Sequence, residues 1–471
     1  MSFRSFLPKI LILTTVLLFA GVGCRPPQGT FEIEKVTLNY WQVWQDSKDL
    51  EPLIKKYQQL YPHVTIHFRN LLFEEYEEEI LKALAEDRGP DIFSIPHDWI
   101  GLYRPIIEPM PKEAAMTRVQ LRAPGPGEVE PTVEKVYQEK TNLLTPRDIK
   151  QFYYPFIRED ILEKGSTSAD ESTGVQKEEE RIVALPLYID ALAMYYNKEM
   201  LEKYDMYDPP ETWEKFQQDV ILMAQVDAQN NIIQAGTALG TAYNLIRPTD
   251  IVSALMLQTV VQMIDEDNAY ATFHQSVRES DNYNAGLEAL RFYTDFSDPS
   301  KKVYTWNEQE GYALQLFKQG KIAYLFGYSY NLDDIRSSRV SIGVSPLPSP
   351  KDAVSHITLA NYWVETVSKK SAHADVAWHF LNFISQPKNL AELQLSASVI
   401  SPRKEHAGEI ADEDVGVFAR AAQEAQVWYH GKDAPAAEEA LLDMITSVVL
   451  GKQSMEEAIS FGAQRVTQTL K

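Results

Sequence analysis

VTLNYWQVWQDSKDLEPLIKKYQQLYPHVTIHFRNLLFEEYEEEILKALAEDRGPDIFSI, residues 36–95, switches four times between two periodicities. Val36, Leu38 and Tyr40 recur every second position, the spacing of a strand. Leu50, Leu53, Ile54, Tyr57, Leu60 and Tyr61 then recur at helical spacing, and Pro62 stops that helix. Val64, Ile66 and Phe68 alternate again. Phe73, Tyr76, Ile80, Leu81 and Leu84 mark a second helix, with Gly89-Pro90 as its closing signal. Asp91–Ile95 reads as a third, buried strand. A βαβαβ order predicts an α/β fold, a mainly parallel sheet with helices on both faces. In such folds ligands bind at loops that leave the C-terminal ends of strands. Two of those loops carry Trp44 and His97-Asp98-Trp99.

Further along, 111–135 and 164–180 are rich in Pro, Gly and charge and read as solvated loops. A second α/β unit begins near Arg181. Leu192–Tyr196 and Ile322–Phe326 are strand candidates, the latter ending in Gly327. Thr212 stands where a helix N-cap belongs, after Pro209-Pro210-Glu211. Val376, Ala377, Phe380, Leu381 and Ile384 form a helical face. Ser454 and Glu457 have the spacing of a capping box.

The N-terminus is a separate matter. Arg4 and Lys9 precede an uncharged run, Ile10–Gly23, too short for a comfortable span, and the chain's single cysteine, Cys24, follows. Gly21-Val22-Gly23-Cys24 resembles a bacterial lipobox, with Gly21 where Leu is usual. That implies removal of residues 1–23, a lipid on Cys24, a tether over 24–30, and a location outside the cytoplasm. Alternatives are an uncleaved anchor and a plain signal with an incidental cysteine. Cleavage would remove two basic residues and no acid, leaving the chain still more negative than its full −22. That balance argues against nucleic acid and anionic lipid as main partners. With one cysteine, no disulfide can form within the chain.

Collinear segments then carry a family resemblance. They are Val36–Trp44, Gly89–Tyr103, Leu185–Met200, Pro209–Phe216, Phe317–Tyr330, Ser368–Ile384 and Leu450–Arg465. Together they resemble extracellular solute-binding proteins of ABC importers, the group that includes maltose-binding protein and other sugar receptors. The resemblance implies a type II periplasmic-binding-protein fold: two α/β lobes, each a mainly parallel sheet flanked by helices, joined by a hinge crossed three times. The crossings fall near Tyr188–Asp190, His356–Ala360 and Pro402–Ala407. One lobe would be 31–188 plus 360–405, with 111–180 as a long loop-rich insertion. The other would be 190–356 plus 408–471. The partners that the resemblance implies are a small solute, a sugar or oligosaccharide, and the transmembrane subunits of an ABC permease; the receptor would be monomeric, with no cofactor and no metal.

Sugars present C–H faces to aromatic plates and hydroxyls to carboxylates. Trp44 follows the first strand, at the start of the family's first binding loop; core packing beside Trp41 is its alternative. Asp98 matches, through the GPDI frame and the His-Asp pair, an acid that holds sugar hydroxyls; it could instead cap the next helix. Asp190 matches an inter-lobe acid, with a hinge salt bridge as the alternative. Where the family often has Gly-Pro-Trp, this chain has Gly327-Tyr328-Ser329, so Tyr328 or Tyr330 would supply the plate. Trp363 lies near the second crossing, and Trp428-Tyr429 resembles an aromatic pair that stacks on sugar.

Catalytic motifs fail. Gly327–Asn331 lacks the last glycine of a nucleophile elbow, and no H-E-x-x-H or Walker A loop occurs. Asp265–Asn268 lacks the glycine of a calcium loop. Tyr195-Tyr196 invites an iron reading but sits in a frame the family uses structurally. No enzyme activity is therefore expected. The rival readings are the same fold on a polyamine, peptide, phosphorylated compound or metal; a secreted polysaccharide hydrolase using Asp98 and Asp190; and a sensor or adhesin.

Overall fold

The computed structural model describes residues 33–43, 47–122, 124, 132–166, 178–229, 231–276 and 283–471. The expected signal segment, Cys24, the expected tether and Trp44 lie outside the described residues, as do parts of 111–135 and 164–180.

The opening stretch folds as its periodicity indicates. Strand β1 (Val36–Gln42) is followed by helix α1 (Ser47–Leu60), β2 (Val64–Asn70), α2 (Phe73–Ala85) and β3 (Ile92–Pro96). β1 pairs in parallel with β2 and with β3. Helix α2 ends earlier than Gly89-Pro90 suggests. Its last turn closes at Ala85, and Asp87, not glycine, takes the left-handed conformation (φ 55°). The Arg88 amide then donates to the Ala83 carbonyl. An aspartate tolerates this region better than most side chains.

After the short helix α3 (Ile100–Tyr103), the expected loop at 111–135 is instead a long antiparallel hairpin, β4 (Glu113–Arg122) with β5 (Thr132–Asn142). Its charges alternate with small or apolar residues. Ala114 and Met116 are buried, while Glu113 and Lys140 pair on the open face. Composition marked the open face and hid the pairing. Helices α4 (Pro146–Phe152) and α5 (Pro155–Ile161) follow, then a second hairpin, β6 (Leu162–Ser166) with β7 (Glu178–Ile182).

At β8 (Asp190–Ala191) the chain leaves the first lobe. The second holds β9 (Ala193–Asn197), α6 (Lys198–Lys203), α7 (Trp213–Met223), β10 (Gln225–Val226), β11 (Ile232–Thr237), α8 (Pro248–Gln258), α9 (Ala285–Thr294), α10 (Ala313–Lys318), β12 (Ile322–Gly327), α11 (Leu332–Arg336) and β13 (Ile342–Ser345). Thr212 caps α7, accepting from the Lys215 amide. The chain returns through β14 (Thr358–Asn361), which pairs with β8, and adds β15 (Trp363–Val367) to the first sheet. Helices α12 (Ala374–Ile384) and α13 (Pro387–Ala397) cover that sheet's lobe. Helix α14 (Glu413–Ala421) packs on β9 and β13, and β16 (Ala425–Gln426) joins β14 between the lobes. Helices α15 (Ala434–Val449) and α16 (Met455–Thr469) finish against α9, with Ser454 and Glu457 forming the capping box.

The fold is therefore the two-lobed α/β type. The first sheet has the order β15-β3-β1-β2 and the second β10-β11-β12-β9-β13. The second is less parallel than expected: only β11–β12 run together, and β9 is antiparallel to both neighbours. The reason is where the chain enters. β12 ends toward the space between the lobes, whereas β9 starts there, directly after β8. β15 enters the first sheet the same way, antiparallel to β3. Each sheet thus takes one strand from the hinge running against its principal neighbours.

Two aromatic cores hold the lobes. Tyr57 packs on Tyr61 and Phe380 in the first. In the second, Trp213 meets Phe216, Phe292 and Phe326, and its indole N–H donates to Gln258 Oε1 at 2.6 Å.

Candidate functional site

Between the lobes lies a cavity of about 700 Å³. The first lobe contributes the turn after β3 and the start of β15. The second contributes the loop after β12, the start of α8 and one face of α15. Hinge residues Tyr188–Asp190 and Leu359–Asn361 form its back wall. Strand ends point into it because each sheet's loops converge there, as open α/β sheets arrange them.

Asp98 stands on a single 3-10 turn (His97–Trp99) and lines the cavity. It caps no helix: neither the turn nor α3 has a side-chain cap. Burial raises its pKa, against the pull of His97 and Arg247. Asp190 also lines the cavity. It makes no salt bridge; instead its carboxylate accepts from the Ser329 hydroxyl (2.7 Å), the Ala191 amide (2.8 Å) and the Tyr330 amide (3.3 Å). Burial pushes it up to about 7, despite those donors.

The aromatic candidates divide. Tyr330 lines the cavity at 56% exposure, its ring stacked on Tyr328 at 5.5 Å. Tyr328 is fully buried behind it and does not reach the cavity; its hydroxyl donates to Asp250 Oδ2 at 2.7 Å. Ser329 takes the wall position between them. Trp363 lines the first-lobe side, edge-on to Phe73 and Tyr76. Trp428 and Tyr429 line the opposite side, and Tyr429 is anchored by donating to the Thr469 carbonyl at 3.0 Å. The iron reading finds no assembled pair, since the Tyr195 hydroxyl donates to the Tyr328 carbonyl.

Sequence reasoning missed a charged group on the second lobe. Arg247, in the left-handed region (φ 45°) just before Pro248, forks onto Asp250 (2.9 and 3.1 Å) and reaches Glu438 of α15 (3.1 Å). A residue before proline is normally extended, so this is a strained turn that aims the guanidinium. Only the Arg-Pro dipeptide hinted at it. Arg336 is similarly taken up by Asp412 and Asp414 near the mouth. Both arginines of the lining are thus matched by carboxylates; Asp98 feels His97 and Arg247, and Asp190 accepts from neutral donors. Such a wall repels anions and offers acceptors to hydroxyls or ammonium groups.

Residues 43–391 match the sequence profile of the family described as bacterial extracellular solute-binding protein. A maltotriose-binding protein from Pyrococcus abyssi is similar at 21% identity over 355 residues, 74% of this chain and 62% of that protein. The chain thus spans about 62% of the length of that curated relative. Among solved structures, a cyclo/maltodextrin-binding protein complexed with maltotetraose is similar at TM-score 0.68 and 14% identity, covering 92% of this chain and 97% of that one. The sugar-binding protein MalE from Xanthomonas citri gives TM-score 0.68 and 17% identity over 92% and 97%. A solute-binding protein from Thermotoga lettingae bound to α-D-tagatose gives 0.66 and 17% over 93% and 100%.

Proposed function

The chain belongs to the bacterial extracellular solute-binding proteins, and on that footing we propose that it is a receptor for a neutral sugar or short oligosaccharide. The observation that carries this reading is the wall between the lobes. Trp363, Tyr330 and Trp428 offer ring surface on opposite sides of a cavity of about 700 Å³ that Asp98 and Asp190 also line. Rings take the C–H faces of a sugar and carboxylates take its hydroxyls. The α-D-tagatose and maltotetraose bound by two of those relatives fit the same chemistry.

Lobe closure is the working step. A solute touching both lobes binds the closed state better and shifts the population toward it. The closed receptor then presents its solute to an ABC permease, and no bond in the solute changes. We assign the lobes to 31–188 plus 360–405 and 190–356 plus 408–471, which agrees with the pairing of β8 and β14 at two of the crossings. A lipid on Cys24 would hold the receptor at the outer face of the membrane.

Calorimetric titration with maltose, maltotriose, maltotetraose, spermidine and glucose 6-phosphate tests the reading. Saturable heat from a glucan supports it. Heat from spermidine alone moves the site to polyamines, and heat from glucose 6-phosphate alone overturns the charge argument.

A further inference from the structure

His430 belongs to the second lobe through both its flanks. Tyr429 donates its hydroxyl, and Lys432 its amide, to the Thr469 carbonyl at the end of α16, at 3.0 and 2.9 Å. Its imidazole nevertheless leaves that lobe. Nδ1 lies 3.0 Å from Oδ1 of Asp160 on α5, a first-lobe helix whose Phe156 packs on Tyr362. The other oxygen of the same carboxylate is 2.9 Å from His97 Nδ1 and accepts the Tyr362 hydroxyl. The Asp160 side chain is 2% exposed. The two lobes also meet at Gly101 and Gly431, so closely that a Cβ on Gly101 would strike the Gly431 carbonyl.

We propose that Asp160 and His430 form an inter-lobe latch: positioning residues that set the open–closed balance of the empty receptor. The latch rests on the reading of the cleft as a closing binding site. Its strength depends on charge. Burial works against a charged His430, but contact with Asp160 outweighs it and the imidazole is held above its usual value, with His97 opposing and Glu159 assisting. His97 is raised for the same reason: burial opposes its charge, and Asp160, Asp98 and Asp250 outweigh it. Its ring is stacked on Tyr362 at 4.5 Å, off the line of a good hydrogen bond to Asp160. Asp160 is desolvated, yet the two histidines hold it down at about 2. It therefore stays ionised at any working pH, and the histidines carry the change. Opening returns His430 to solvent, where its ordinary pKa is about 6.5. The closed state thus holds the proton more tightly. Its advantage is complete below about 6.5 and is lost as pH rises through the raised closed-state value.

The test needs no solute. Spin labels at Glu78→Cys on α2 and Glu214→Cys on α7, both exposed, report lobe separation by pulsed electron resonance in full-length Cys24→Ser protein. The closed-to-open ratio should fall at least about threefold between pH 5.5 and 8.5. His430→Asn, which keeps a donor and loses the charge, should flatten that slope, and Asp160→Asn should do the same. Should Asp160→Asn fail to fold, the partly exposed His430 variant decides. A flat ratio in the parent protein, or an unchanged slope in His430→Asn, overturns the latch. Adding maltotetraose separates the two proposals. Closure by the glucan in a protein with a flat pH response removes the latch and leaves the cleft reading standing. A pH-dependent ratio that no glucan shifts does the opposite.

Discussion

The Asp190 carboxylate accepts the Ser329 hydroxyl at 2.7 Å, tying the first hinge strand to the loop that closes β12. The contact joins one of the paired strands that cross between the lobes to side chains that line the cavity. The Ser329 hydroxyl serves this contact, and in the proposed site Tyr330 presents the ring.

Ser329→Ala removes one of three donors to Asp190 and leaves Tyr330 in place. The carboxyl should be harder to ionise, so solute affinity should fall more at pH 8 than at pH 5.5. Titration calorimetry at the two values checks this; equal losses would show that Ser329 acts only through packing.

Tyr330 and Tyr328 should separate binding from stability. Tyr330→Ala uncovers one face of the Tyr328 ring and should weaken glucan binding by about 1–3 kcal/mol, with a smaller loss of stability. Tyr328→Phe takes a buried hydroxyl from Asp250 and should lower stability by about 1–3 kcal/mol while leaving the cavity surface intact. Paired calorimetry and thermal melts read both.

Arg247→Ala would leave Asp250 and Glu438 facing each other without their shared cation. The guanidinium is one-third exposed, so solvent softens the penalty, and a loss of about 1–2 kcal/mol in stability is expected. Raising salt should recover part of it. A variant as stable as the parent at low salt would mean the network contributes nothing.

Glu365 on β15 is buried among neutral donors, accepting from Gln42 (3.0 Å) and Ser94 (2.5 Å), and burial pushes its carboxyl up to about 7. A carboxyl raised in the folded state contributes most below its unfolded value near 4.3, and that contribution fades as pH rises toward 7. Glu365→Gln should therefore gain in Tm relative to the parent between pH 5 and 8. A constant difference across that range would contradict the assignment.

The first sheet was readable because its strands and helices alternate cleanly. Val36–Tyr40 and Leu50–Tyr61 each show one buried face. The hairpin β4–β5 was not, because its pairing is long-range and its outer face is charged, so Glu113 to Arg122 reads locally as a loop. The antiparallel course of β9 depends on where the hinge releases the chain, which no local pattern records. At the site, Asp98, Asp190, Tyr330, Trp363, Trp428 and Tyr429 share one cavity lining, whereas Tyr328 is sealed behind it. Ser and Tyr alternate there, and sequence does not say which ring turns outward. Arg247, Glu438 and Asp160 come from three distant segments, and their charges acquire meaning only where the fold brings them opposite a partner.

Small-angle X-ray scattering with and without maltotriose or maltotetraose tests most directly whether this receptor closes on a sugar. The account predicts a smaller radius of gyration on saturation, with the shift lost at the same concentration in Trp363→Ala. Identical profiles with every glucan, from protein that calorimetry shows to have bound it, would contradict the closing cleft.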